Sequence, residues 1–257
     1  MSVSIWEYVV VYGLLFMLGS CLGSFFILVG SRTAKKQSIV SPGSHCTNCE
    51  TQLKIYELIP ILSWGYLRGK CRTCQNRIPV SYILLEALSG FVMVSTCYLL
   101  AFSTETIVAI TFYYLLLTIT ISDLEENKIP NAVLLPFFII GLFERLLISQ
   151  AANWYFNPFL GIIVGFGVMF LLAYFSKGGM GGGDIKLLAV IGIFIGPLGA
   201  LITLFLAAFI GLFYAIFSGA AMKKGSKIPF GPFLAIGGWL TYFYFSNQLF
   251  MLLQLFK

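Results

Sequence analysis

Charge is what this chain of 257 residues has least of: 10% of it is Asp, Glu, Lys or Arg against 59% hydrophobic residues, with a mean hydropathy of +0.92. A soluble globular domain is nearer a quarter charged, so the composition excludes that class and indicates a polytopic membrane protein. Histidine is almost missing, His45 being the only one. Without a second histidine, Ser-His-Asp and Cys-His mechanisms and a His-bound catalytic zinc are unsupported, and His45 reads as a loop residue. No G-x-G-x-x-G stands after a strand, so no dinucleotide-type fingerprint is present. Aspartate is nearly as scarce as histidine: the chain contains only Asp123 and Asp184.

What is abundant is long apolar sequence. Runs recur at 8–29, 82–102, 107–122, 132–148, 159–175, 185–217 and 233–255. Lipid forbids an open sheet edge, so these runs predict helices. The run 185–217 would reach roughly 50 Å as one helix, against a hydrocarbon core of about 30 Å. A turn at Gly196-Pro197-Leu198-Gly199 divides it and brings the expectation to about eight transmembrane helices. Of the sixteen Lys and Arg, eight fall between the first two runs (Arg32, Lys35, Lys36, Lys54, Arg68, Lys70, Arg72 and Arg77), which predicts a cytoplasmic loop there. Threading eight spans from that loop puts Lys128, Lys177, Lys186, Lys223, Lys224 and Lys227 on the same side and leaves only Arg145 and Lys257 outside. The net charge of +6 is then largely topological and implies no nucleic-acid partner. Residues 1–8 hold Glu7 and no basic side chain, so the first run does not read as a cleavable signal peptide.

The same threading puts both aspartates on the cytoplasmic side. Asp123 closes one apolar run and opens Leu124-Glu125-Glu126-Asn127-Lys128-Ile129-Pro130-Asn131, and Asp184 follows Gly178-Gly179-Met180-Gly181-Gly182-Gly183. An ionisable group at the edge of a bilayer core is a functional candidate by default. The bland readings are an N-cap for Asp184 and an interfacial pair with Lys128 for Asp123. The arm 185–195 spans about 17 Å, too short to cross alone, so either its turn is sunk in protein or Asp184 starts below the membrane surface. Glycines at 181–183 lack Cβ and would let the loop approach a peptide backbone closely. Glu125 and Glu126 would either attract a basic peptide or form a solvated acidic loop.

The long loop carries a second pattern. Cys46-Thr47-Asn48-Cys49 and Cys71-Arg72-Thr73-Cys74 form two C-x2-C knuckles with twenty-one residues between them. Four thiolates so spaced suit a tetrahedral zinc, and a reducing cytoplasmic side argues against disulfides. A closed four-cysteine site has no open position, so this zinc would be structural. Cys21 and Cys97 lie inside apolar runs and read as small core residues.

These residues resemble a known family. Gly19-Ser20-Cys21-Leu22-Gly23-Ser24-Phe25, the knuckles around Glu57-Leu58-Ile59-Pro60-Ile61-Leu62-Ser63-Trp64, Asp123 with Ile129-Pro130-Asn131, Gly181-Gly182-Gly183-Asp184 and Ile228-Pro229-Phe230-Gly231-Pro232 look like a bacterial type IV prepilin peptidase, a GxGD intramembrane aspartyl protease. The resemblance runs from the first segment to the last. Ile27 stands where many members have Asn, a variant resembling the competence-type branch, whose substrates are pseudopilins of DNA uptake machinery. The resemblance implies cleavage of a short basic leader from prepilins at the cytoplasmic face of the cell membrane, after a Gly and before a hydrophobic helix. Asp123 and Asp184 would be the catalytic pair. It also implies N-methylation of the new terminus with S-adenosylmethionine, for which Glu57 and Glu86 are candidate acids or, equally, interfacial anchors.

The expected architecture is therefore an all-α polytopic membrane protein: a first transmembrane helix in 1–30, a zinc-ribbon-like cytoplasmic insertion in 31–81 and a helical peptidase domain in 82–257. Two other classes compete with it. A carrier or channel could use paired intramembrane acids, but no inverted repeat is visible and both acids sit toward one face. A membrane-tethered zinc ribbon binding nucleic acid would use Arg68, Lys70, Arg72 and Arg77, charges that topology already requires.

Overall fold

A computed structural model describes residues 5–148, 157–176, 180–218 and 228–255. Lys177, Gly178, Gly179, Lys223, Lys224, Lys227 and Lys257, used above in the topology and the glycine run, lie outside the described residues. The described residues form helices α1 (Ile5–Ala34), α2 (Leu62–Tyr66), α3 (Val80–Leu99), α4 (Thr104–Glu126), α5 (Asn131–Ile148), α6 (Pro158–Phe175), α7 (Gly182–Phe217) and α8 (Gly231–Leu255), with a short 3-10 turn at Ile55–Leu58 before α2. Among them there is no strand, only isolated bridges in the long loop. Helix limits follow the apolar runs closely because lipid leaves the backbone no other way to satisfy its polar groups. Six helices, α1 and α3 to α7, are long and apolar enough to cross a membrane, which makes this a multi-pass membrane protein.

Helix α4 is the centre of the bundle, with fourteen of its twenty-three residues buried. It packs against α1, α5 and α8, and Tyr114 donates to the Gly19 carbonyl at 2.9 Å. Small residues set the closest crossings, as expected where helices associate by packing in lipid. A Cβ on Gly19 would lie 2.5 Å from Met93 Cβ, and one on Gly23 2.5 Å from Ser89 Cβ, so the Gly19–Gly23 motif is the seam between α1 and α3. Gly161 and Gly192 meet backbone to backbone, where a Cβ on Gly161 would stand 2.0 Å from the Gly192 carbonyl oxygen. The buried stripe of α1 runs through Gly19, Ser20, Gly23, Ile27 and Gly30, and Cys21 falls off it. Cys97 is a core residue as expected; Cys21 is exposed instead, because α1 is apolar on every side and only one stripe meets protein.

Helix α7 is two arms joined at a kink. Gly196 has φ 72° and ψ −178°, outside helical geometry, and Pro197 has no N–H to continue the ladder. The arms fold back on each other: a Cβ on Gly238 of α8 would lie 3.8 Å from Ile191 Cγ2 and 3.6 Å from Thr203 Cγ2, one on each side of the kink. Gly196 and Pro197 are buried, so the short first arm ends inside protein, one of the two solutions its length allowed. A count of eight crossings rests on each of these arms and α8 crossing as well.

Candidate active site

Asp123 lies in the last turn of α4 and is 5% exposed. The helix stops because Asn127 adopts αL (φ 50°, ψ 43°) and its N–H returns to the Asp123 carbonyl. Ser122 Oγ donates to the Lys128 carbonyl at 2.7 Å and fixes the turn that follows. The Asp123 carboxylate itself accepts from the Gly231 N–H at 2.7 Å, at the start of α8. Lys128 pairs with Glu126 at 3.2 Å, so the interfacial Asp123–Lys128 pair is not formed.

Asp184 lies in the first turn of α7, whose N-cap is Gly181. It is therefore not the N-cap that its place before an apolar run suggests. Its Oδ2 is 3.0 Å from where a Cβ on Gly181 would stand. Gly183 packs on the loop after α4, its would-be Cβ 2.8 Å from Ile129 Cβ, and only Gly182 faces open space. The three glycines thus serve mainly to seat Asp184 beside the Asp123 loop, and none of them has φ > 0.

Asp123, Asp184 and Gly181 to Gly183 all line one cavity of about 800 Å³. Its other walls come from the loop after α4 (Asn127 to Ala132) and from the end of α1 and the residues after it, including Thr33, Lys36, Gln37 and Ile39. The cavity is thus built from sequence far apart, with α1 contributing to a site carried by α4 and α7. Each carboxylate sits at a helix N-terminus, Asp184 within that of α7 and Asp123 beside that of α8, where unpaired N–H groups favour negative charge. Glu125 and Glu126 are engaged elsewhere, Glu125 with Lys35 at 2.7 Å and Ser31 Oγ at 2.8 Å, Glu126 with Lys128. The Lys35 ammonium is held above its usual range by its hydrogen bond to Glu125.

The four loop cysteines converge. Their sulfurs all lie within 4.8 Å of one another, with Cys46 to Cys74 at 3.7 Å and Cys49 to Cys71 at 3.8 Å, and none is disulfide-bonded. Ligands about 2.3 Å from a tetrahedral zinc would stand roughly 3.8 Å apart, so the set fits such an ion. The knuckles repeat one geometry: Cys46 N–H donates to Thr51 O and Glu50 N–H to Cys46 O, and Cys71 N–H donates to Asn76 O and Gln75 N–H to Cys71 O. Glu50 and Gln75 each have φ 56°. Hydrogen bonds from the Thr51 hydroxyl and backbone pull the Cys49 thiol down to about 6, and those from Asn76 and Asn48 lower Cys74 as well, which suits thiolate ligands at these two positions. At Cys46 the backbone of Asn48 and Cys49 pulls the same way, but burial and the neighbouring Cys71 and Cys49 thiols hold it above its usual value. His45 Nδ1 lies 2.9 Å from the Gly43 carbonyl and is no member of the cluster.

Glu57 and Glu86 hold the loop together. Glu57 is buried, its Oε2 accepting from the Lys54 N–H at 2.7 Å and its Oε1 facing Arg72 Nε at 3.2 Å. Glu86 accepts from the N–H of Ile61, a residue with φ 64°. So placed, each carboxylate anchors backbone of the loop through one oxygen. Two contributors to the site carry no role in the sequence reading. Gly231 meets Asp123 so closely that a Cβ would stand 2.8 Å from Oδ2. Arg32, buried at the end of α1, donates to the carbonyls of Ser38, Ile39, Pro42 and Gly43 and so fixes the segment that carries Ile39 into the cavity. The glycine in Phe230-Gly231-Pro232 was the available signal for the first; nothing local marks the second.

Comparison with known proteins finds similar sequences for both parts of the chain. Residues 17–100 match the Bacterial Peptidase A24 N-terminal domain, and residues 110–216 match the Type IV leader peptidase family. A Prepilin leader peptidase/N-methyltransferase of Bacillus subtilis (strain 168) is 36% identical over 90% of this chain and 93% of its own length. Proteins of the same name from Dichelobacter nodosus (32% identical, 80% of this chain and 73% of that protein) and Aeromonas hydrophila (33%, 79% and 72%) are also similar. No solved structure matches the chain significantly. With both parts of the chain matched in order and a relative aligned over nearly its whole length, the chain belongs to the type IV leader peptidase family.

Proposed function

We propose that this protein is a membrane aspartyl endopeptidase that removes the leader of prepilins or pseudopilins, with Asp123 and Asp184 as the catalytic dyad. The observation that carries the reading is the meeting of the chain's only two aspartates in one cavity at the ends of separate helices. Two carboxylates this placed share a proton, because both cannot readily ionise side by side. The ionised one takes a proton from water as its oxygen attacks the scissile carbonyl; the protonated one donates a hydrogen bond to the carbonyl oxygen. Collapse of the tetrahedral adduct breaks the C–N bond, and the proton goes to the departing amine. The roles are a property of the pair and exchange during turnover. Gly182, which faces open space in the cavity lining, leaves room for a peptide backbone, and the mixed walls suit an extended peptide.

In this proposal the chain crosses the cell membrane eight times, with the dyad and the Cys46, Cys49, Cys71 and Cys74 loop on the cytoplasmic side. Residues 1–30, 31–81 and 82–257 are its first helix, metal-binding loop and peptidase domain. The four cysteines hold a structural zinc, which when bound cross-links a loop otherwise short of apolar residues to bury. Its relatives' names extend to N-methyltransferase, and we assign that second activity, with S-adenosylmethionine as methyl donor, to this chain by similarity alone. No residue is assigned to it.

The test is incubation of the purified protein with a synthetic prepilin bearing a basic leader, read by mass spectrometry, with S-adenosylmethionine added in a second arm. Wild type shortens the substrate. Asp123→Asn and Asp184→Asn each abolish cleavage while remaining folded; cleavage retained in either sinks the dyad.

A further inference from the structure

At the end of the bundle remote from the dyad, a buried charged group remains without a role. Arg145, in the last turn of α5, is 6% exposed. Its Nη1 donates to Glu105 Oε2 at 2.8 Å, its Nη2 donates to the Phe194 carbonyl, and its guanidinium carbon lies 5.8 Å from the centre of the Tyr242 ring. The Tyr242 hydroxyl closes the group by donating to Glu105 Oε1 at 2.5 Å. Burying such charges in a membrane protein is costly, and sequence economy alone does not explain it.

The partners explain it. Glu105 is in the first turn of α4, whose last turn carries Asp123. Phe194 is at the end of the first arm of α7, whose first turn carries Asp184. Tyr242 belongs to α8, whose first residue, Gly231, donates to Asp123. One guanidinium therefore contacts all three helices that shape the dyad: the first turn of α4, the end of the first arm of α7 and the middle of α8. The Phe194 carbonyl needs a donor because its helical partner would lie four residues on, at Leu198, across the non-helical Gly196 where the first arm ends. Arginine's rigid fork reaches both acceptors at a fixed angle, which an ammonium cannot do.

We propose that Arg145 is a positioning residue for the dyad: by clamping Glu105 and the Phe194 carbonyl it fixes the far ends of the two aspartate helices, and with them the separation of the carboxylates. The first arm, residues 182–195, is about 20 Å long, so a tilt of about 3° moves its other end by about 1 Å. A misplacement of that size, imposed from a distance, can lower turnover about 10²-fold.

This inference rests on the dyad reading, so wild type and variants are run side by side in the leader-cleavage assay. Arg145→Met is paired with the double variant Arg145→Met/Glu105→Gln, which removes both members of the Arg145–Glu105 ion pair and keeps a partner for Tyr242. Both are expected to lower kcat by about 10²-fold with KM unchanged, at an undiminished folded fraction by size exclusion. Arg145→Lys is expected to recover only part of kcat. Wild-type kcat in the double variant, a loss no larger than the loss of folded protein, or full activity in Arg145→Lys overturns the clamp while leaving the dyad standing. A wild type that does not cleave overturns both.

Discussion

Gly231→Ala is the sharpest test of how the site is built, because it adds one methyl group and leaves both aspartates in place. Gly231 has ordinary backbone geometry, so alanine meets no conformational penalty there. What it meets is Asp123: the new Cβ would be 2.8 Å from Oδ2 and 3.2 Å from both Cβ and Cγ, where ordinary contact begins at 3.4 Å. Asp123 is part of a buried helix turn and α8 is packed against α4, so the carboxylate must give way by roughly half an ångström. That movement strains or breaks the 2.7 Å hydrogen bond from the Gly231 N–H. Hydrogen bonds to charged groups contribute about 1.5–3 kcal/mol, and a displaced catalytic group loses turnover steeply, so kcat is expected to fall about 10–10²-fold. The assay is steady-state cleavage of a fluorogenic leader peptide by protein in detergent, with Gly13→Ala as the control, since nothing lies within 4 Å of a Cβ there. Wild-type kcat in Gly231→Ala would refute the contact as a determinant of the site.

The contrast between Gly231 and the glycines at 181–183 shows what a sequence discloses here. Helices were legible because run length answers directly to bilayer thickness: the apolar run 132–148 becomes Asn131–Ile148, and 159–175 becomes Pro158–Phe175. The aspartates and the cysteine knuckles were legible because their chemistry is rare in such a chain and locally spaced. Facing was not legible. A helix apolar all round carries no stripe to say which side meets protein, which is why Cys21 and Cys97 look alike in sequence and differ in place. Contacts between distant segments were hidden for a related reason. Gly231 reaches Asp123 across 108 positions, and Arg145 reaches Phe194 across 49, so neither leaves a periodicity to read. In sequence Arg145 is one of two basic residues left outside by the threading, with Lys257; nothing there shows that it is buried against partners on three other helices.

Two further outcomes test packing and the metal-binding loop. Gly161→Ala puts a Cβ 2.0 Å from the Gly192 carbonyl oxygen and is expected to destabilise the folded protein by about 1–3 kcal/mol, read as a lower melting temperature in detergent beside an unchanged Gly167→Ala control. For the loop, the expectation concerns acid. A metal ion bound by Cys46, Cys49, Cys71 and Cys74 needs thiolates, and the Cys49 thiol, drawn down to about 6 by Thr51, is mostly ionised at neutral pH without help from a metal. A lowered pKa means the anionic, ligating form is present above that value and is lost as pH falls through it. Bound metal competes with the proton and pushes the loss lower still, so zinc is retained at neutral pH and released only below about 6. Removing the Thr51 hydroxyl with Thr51→Val takes away the largest cause of that depression and moves the release to higher pH. Atomic absorption on protein desalted along a pH series measures it, and a release profile unmoved by Thr51→Val would refute the role given to that hydrogen bond.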